Sequence, residues 1–261
     1  MKLTTFIIFF FSVLFGVHAI GNAQMRPILK HRVGVPPFEV LKIIMETNLS
    51  PTSPPKIPNA KMAQQAPYIT WLADSDPRVE PRFILPADSG LIYCVRNLAN
   101  QLVISQGSID FGVLYLRSPV LLITGNTDSE ALSLLLTDND ALPTSIQADM
   151  DHLFLPFSEV AKSKNNETLA LEKKVQMLVE KNIDHQVDKA MELYQERIRD
   201  DRLVVIGAVL DIANQYGKGK NRLLIINING EKSDNALRRL PLTNNLPPEL
   251  KKFLGREPAT P

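Results

Sequence analysis

Leu91-Ile92-Tyr93-Cys94-Val95-Arg96-Asn97-Leu98-Ala99-Asn100 runs from a short apolar stretch directly into polar amides. Its first five residues are too few for a helix and too continuously apolar for a strand with one wet face. They read as a buried strand, Leu91 to Val95. Tyr68 to Ala73, Val120 to Thr124 and Leu203 to Leu210 have the same character. Ile109, Val113, Leu114 and Leu116 carry helical spacing before the third of these strands, and Ala131 to Leu136 predicts a helix after it. Strands alternating with helices predict an α/β domain with a largely parallel sheet.

Further along, the region from about Glu167 to Arg199 is helical. Leu171, Val175, Leu178 and Val179 form one stripe, and Ile183, Val187, Ala190, Met191, Tyr194 and Ile198 form another, with a break predicted at Asn182. Leu223 to Ile228 reads as a last edge strand, reached through Gly217-Lys218-Gly219-Lys220. That tetrad lacks the spacing of a phosphate loop and reads as a turn. From Gly230 onward no clear core pattern emerges. On the N-terminal side, Val40, Leu41, Ile44 and Met45 share a helical face after Pro36-Pro37. Pro51, Pro54, Pro55 and Pro58 then form a linker that cannot be helix interior.

Charge is balanced, with 29 Lys+Arg against 28 Asp+Glu, and 44% of residues are apolar. This balance excludes a nucleic-acid-coating protein, and the apolar content excludes a disordered chain. One cysteine, Cys94, excludes an intramolecular disulfide framework and a cysteine-rich zinc module. It reads as a small core residue of its strand. At the N-terminus, Lys2 precedes the apolar stretch Phe6 to Val17, and Val17-His18-Ala19 offers a cleavage site, with Ala23 as a second. Residues 1–23 are therefore expected to be a cleaved signal peptide, and 24–37 a short N-terminal segment. The expected location is secreted or periplasmic, with no stable membrane span after cleavage; a retained anchor is the alternative. Asn166-Glu167-Thr168 and Asn48-Leu49-Ser50 match the glycosylation tripeptide, a pattern too common to identify a host.

The opening stretch resembles the Val-Val-Arg-Asn-Ala-Gly-Asn run of the β-class carbonic anhydrases. Gly107-Ser108-Ile109-Asp110-Phe111-Gly112-Val113 is similar to that family's Gly-Ser-Leu-Glu-Tyr-Ala-Val helix. Asn182-Ile183-Asp184-His185-Gln186-Val187 and Gly207-Ala208-Val209-Leu210-Asp211 resemble two later segments. Two loops complete the likeness: Asp74-Ser75-Asp76-Pro77-Arg78-Val79 beside Cys-x-Asp-Ser-Arg-Val, and Gly125-Asn126-Thr127-Asp128-Ser129-Glu130 beside Gly-His-x-x-Cys-Gly. The resemblance implies a β-carbonic-anhydrase-like domain over 38–229, followed by a C-terminal tail, 230–261. Its implied fold is a mostly parallel sheet of four strands plus an antiparallel edge strand, flanked by helices. It also implies a homodimer formed across an N-terminal helix and the sheet edge. The exposed need of the Val40–Met45 face for a packing surface points the same way.

Aligned without gaps, the family's zinc ligands Cys, His and Cys fall on Asp74, Asn126 and Ser129; a shifted alignment puts the first on Leu72. Asp76 and Arg78 keep the family's Asp–Arg dyad positions around Pro77. They read either as a retained binding dyad or as a structural ion pair. One carboxylate, one amide and one hydroxyl are a poor zinc set, and hard cations want six or more oxygens. Without zinc, water keeps a pKa of about 15.7 rather than about 7. No cofactor is expected; zinc returns only if the ligand assignment is wrong. Asp74 and Asp128 read as a hard-metal pair or as solvated loop carboxylates. His31, His152 and His185 are too scattered for a metal cluster, and a Ser129 nucleophile would lack a base. The expectation is a pseudoenzyme with a structural or binding role toward a small anion or a protein. The alternative is an active lyase using another metal or none.

Overall fold

Five strands form one sheet in the order β2-β1-β3-β4-β5. They are β1 (Ile69–Asp74), β2 (Ile92–Asn97), β3 (Val120–Asn126), β4 (Val204–Asp211) and β5 (Arg222–Ile228). β1 pairs in parallel with β2 and β3, β3 pairs in parallel with β4, and β5 closes the sheet antiparallel to β4. The expected architecture is the observed one. In this computed structural model the described residues are 35–51, 66–85, 90–136, 142–161 and 168–257. The expected signal peptide, His31 and the linker prolines Pro54, Pro55 and Pro58 lie outside them, and all described residues belong to the unit spanning 34–261.

The central strands are buried along their whole length, as continuous apolar runs between two helical layers must be. On one face, Leu72, Leu121, Ile123, Val205 and Val209 meet the long helix through Leu178, Val179, Ile183 and Val187. On the other, Trp71, Leu122, Ile206 and Ile225 meet α1 (Pro37–Leu49) and the C-terminal segment. Pro37 sits at the first helical position of α1, where its missing N–H costs nothing.

After β2, α2 (Gln106–Asp110) runs into a π-helical turn, Phe111–Tyr115. After β3 come α3 (Glu130–Leu134), α4 (Thr144–Asp151) and α5 (Phe154–Ala161). The long helix is α6 (Leu171–Leu193), followed by α7 (Gln195–Arg199). It approaches the sheet at two glycines. A Cβ on Gly125 would lie 2.9 Å from Val179 Cγ1, and one on Gly207 would lie 2.7 Å from Ile183 Cγ2.

Four expectations are corrected. The helix does not break at Asn182: that side chain is fully buried and donates to the Ala99 carbonyl at 2.8 Å, so α6 continues to a kink at Tyr194. The Leu91–Val95 segment, read as a buried strand, is only partly buried and its Cys94 is exposed, because β2 is the outer strand of the sheet. Val40, Leu41, Ile44 and Met45 do have something to pack on: they are buried against their own sheet. The segment after Gly230 is also folded. It contains α8 (Asp234–Leu237) and α9 (Pro248–Lys251), and buries Leu237, Leu246, Leu250, Phe253 and Leu254 in the second core.

Candidate functional site

The carboxyl ends of β1 and β3 bring the two polar loops together, as open parallel sheets do for their sites. Asp74 and Asn126 are the last residues of their strands, and Ser129 is the N-cap of α3. Ser129 Oγ donates to Asp74 Oδ2 at 2.8 Å and accepts weakly from the Leu132 N–H at 3.4 Å. The Ala99 N–H donates to Asp74 Oδ1 at 3.0 Å. Asp74 is 4% exposed. Burial pushes its carboxyl above the usual range, against the pull of the hydrogen bonds from Ala99, Ser129 and Ser75.

Asp76 has the opposite surroundings. Arg78 grips it with Nε at 3.0 and 3.1 Å and Nη2 at 2.6 Å, and the Arg78 backbone N–H adds a fourth bond at 2.8 Å. Asn126 Nδ2 donates to Asp76 Oδ2 at 3.0 Å. Burial works against the charge here too, but the Arg78 contacts outweigh it and hold this carboxyl below the usual range. Arg78 then crosses to the second loop, donating to Asp128 Oδ2 at 2.7 Å and to the Asp128 carbonyl at 2.8 Å. Its bonds to Asp76 first, and then to Asp128, raise the guanidinium above its ordinary value. Asp76 and Arg78 thus bond to each other across Pro77.

The site therefore has two joined parts, an interior Asp74–Ser129 pair and a more exposed Asp76–Arg78–Asp128 chain, with Asn126 between them. Asn126 Oδ1 is buried without a hydrogen-bond partner. An open cleft of about 170 Å³ beside the site is lined by Asp128, Ser129, Glu130, Ser133 and Glu172 among others. Its rim is acidic, which disfavours a small anion.

The residues that the family resemblance aligns with its three zinc ligands, Asp74, Asn126 and Ser129, do not fit zinc. They supply neither thiolate nor imidazole, and the one carboxylate is held by Ser129 and Ala99. Leu72, the alternative first position, is enclosed in the apolar core. His152 follows α4 and His185 lies within α6.

Sequence reading missed two contributors. Asp128 reads there as a metal carboxylate or a solvated one, yet it anchors Arg78 from fifty residues away. Ala99 supplies the backbone donor to Asp74 from a left-handed conformation, φ 55°. A visible signal existed at Ala99, which stands where the resembling motif has glycine.

A doubly covered five-stranded sheet with its polar cluster beyond the parallel strand ends defines the class of fold. The carbonic anhydrase family profile matches residues 69–218, and the chain belongs to the β-carbonic anhydrase family. Solved structures of similar fold include a β-carbonic anhydrase of the ascomycete Sordaria macrospora, described as tetrameric: 21% identity, TM-score 0.56, covering 64% of this chain and 84% of that one. One from the fungal pathogen Aspergillus fumigatus shares 22% identity, TM-score 0.54, covering 74% and 86%. A Coccomyxa enzyme solved with acetazolamide shares 17%, TM-score 0.54, covering 72% and 82%. No curated protein sequence matches the chain.

Proposed function

We propose that this chain is an exported β-carbonic-anhydrase-like pseudoenzyme that hydrates carbon dioxide poorly or not at all and serves as a binding or structural subunit. The supporting observation is the 2.8 Å Asp74–Ser129 hydrogen bond. It links two positions where the family resemblance would put metal-binding thiolates, so a proton now joins the loops in place of a metal. Asp76 and Arg78 act as a structural ion pair extended to Asp128.

The experiment is metal analysis of the purified chain beside its triple variant Asp74→Cys, Asn126→His, Ser129→Cys. The wild type is expected to lack stoichiometric zinc, and the variant to gain it. Zinc at one per wild-type chain would overturn the reading. A second reading, a lyase using a harder metal, draws on the unpartnered Asn126 Oδ1. Magnesium or manganese at one per chain would favour it.

The partner reading favours protein over small anion. Val103, Ile104, Phe111, Leu114 and Tyr115 are exposed, and Phe111 stacks on Tyr115 and lies tilted against Tyr93. Such a surface suits a homodimer; a monomer mass by light scattering at micromolar concentration would count against it. Export rests on the leader, and an exported chain that retained Met1 would make that segment an anchor.

A further inference from the structure

Arg117, Arg197 and Arg202 gather at the amino ends of β3 and β4, the opposite strand ends from the Asp74 loops. Val120 and Val204 are partners in register, and the Val204 N–H donates to the Pro119 carbonyl at 2.9 Å. Arg117 and Arg202 therefore lead into neighbouring strands. Arg197 stands on α7, close before Arg202. The turn after α7 draws the two together. The Arg202 N–H donates to the Arg197 carbonyl at 2.9 Å, and Arg197 Nη2 donates back to the Arg202 carbonyl at 3.1 Å. Arg117 and Asp201 hold these turns in left-handed conformations, φ 62° and 52°, which strain a residue with a Cβ.

The charge collected there is not balanced. Arg202 pairs with Asp200, but among the described residues neither Arg117 nor Arg197 forms an ion pair. Asp110 accepts from the Tyr194 hydroxyl at 2.7 Å instead, and Glu196 and Asp201 are exposed. Arg197 is partly buried, and its Nε–H is enclosed without an acceptor. A guanidinium so placed gives up water and receives nothing in return. Burial first, then the charges of Arg202 and Arg117, pull Arg197 below its ordinary pKa.

We propose that Arg117, Arg197 and Arg202 form a binding site for a small multivalent oxyanion of the phosphate or sulfate class. Three guanidinium groups against the one carboxylate of Asp200 leave two positive charges, which a dianion matches. Tetrahedral oxygens accept from several directions at once, whereas a planar carboxylate brings two oxygens and one charge. Arginine suits the task because its planar fork presents paired donors in fixed geometry. The idle Nε–H of Arg197 gains the acceptor it lacks. This site is separate from the cleft beside Ser129, whose acidic rim repels the same ligand. It does not depend on the pseudoenzyme reading.

The test is calorimetric titration of the full-length chain with inorganic phosphate at neutral pH and low salt. Two variants stand beside it: Arg197→Gln, and Arg117→Gly, which removes a guanidinium and relieves a left-handed turn. The wild type is expected to bind one phosphate per chain, and each variant to bind at least about tenfold more weakly. By NMR, the Arg197 Nε–H resonance of the wild type is expected to shift with the same midpoint. Sulfate should compete, and chloride at equal ionic strength should not. No saturable binding by the wild type would overturn the proposal, as would undiminished binding by Arg117→Gly or equal competition by chloride. Binding to phosphatidylserine vesicles without binding of free phosphate would make the ligand a membrane surface and contradict it. Should Arg197→Gln fail to fold, Arg117→Gly and the wild-type Nε–H shift decide, and an unmoved Nε–H resonance at saturation would place the anion elsewhere and sink the proposal.

Discussion

Asp74 and Asp76 stand two residues apart at the end of one strand and have opposite electrostatics. Asp74 faces the interior with only neutral donors, Ser129 Oγ and the Ala99 N–H, and burial raises its pKa. Asp76 also loses solvent, but meets a guanidinium through both oxygens and is lowered. Desolvation alone does not set a carboxylate's state; the charge of its hydrogen-bond donor does. One strand end thus carries an acid with a raised pKa two residues from one with a lowered pKa. That is a stable polar crosslink and a poor anionic cage for a metal.

The largest break in this pairing is expected from Ser129→Ala. It leaves Asp74 one donor short in a buried place and removes the cap of α3, together about 2–3 kcal/mol of stability. Urea unfolding measures it; a loss below 0.5 kcal/mol on the order of experimental error would show that the interior pair contributes little. Arg78→Ala is expected to cost less, about 1 kcal/mol, because the guanidinium is 41% exposed and screened by solvent. Its sharper signature is electrostatic: the Asp76 carboxyl rises toward the ordinary range, seen by NMR titration.

The two acids also make opposite pH contributions. Asp76, lowered from 3.8 in the folded chain, adds stability that is complete above its unfolded value and is lost as pH falls through the folded one. Asp74, raised from 3.8, adds stability in acid that is lost as pH climbs from 3.8 through its folded value. Asp74→Asn should therefore gain on the wild type as pH rises above 3.8, and Asp76→Asn should lose on it as pH rises toward 3.8 from below. Unfolding midpoints across the acid range test this, and parallel curves for both variants would erase the contrast. The smallest effect is expected at Ala99, where φ 55° strains any Cβ. Ala99→Gly should be stabilising by about 0.5 kcal/mol, after the glycine's extra unfolded-state entropy is offset.

The strands were legible because buried strands read as short continuous apolar runs, and all five strands lie at such runs, although β2 is only partly buried. Sheet order was not written in those runs. Cys94 therefore looked interior although its strand is outermost. Asn182 carries a helix-breaking tendency that its bonds to Ala99 and Gln186 override. The packing of Leu237, Leu246, Leu250 and Phe253 was hidden because turns separate them and no single period links them. At the site, Asp74, Asn126 and Ser129 could be named from their motif positions. The Arg78–Asp128 bridge could not, since it joins loops only the fold brings together.

The central claim is that a hydrogen-bonded crosslink occupies the place of a hydrating centre. Its most direct test is the rate of carbon dioxide hydration by the purified chain with equimolar Zn²⁺ added. The account predicts the uncatalysed rate with and without zinc. Rapid hydration that depends on the added metal would contradict it.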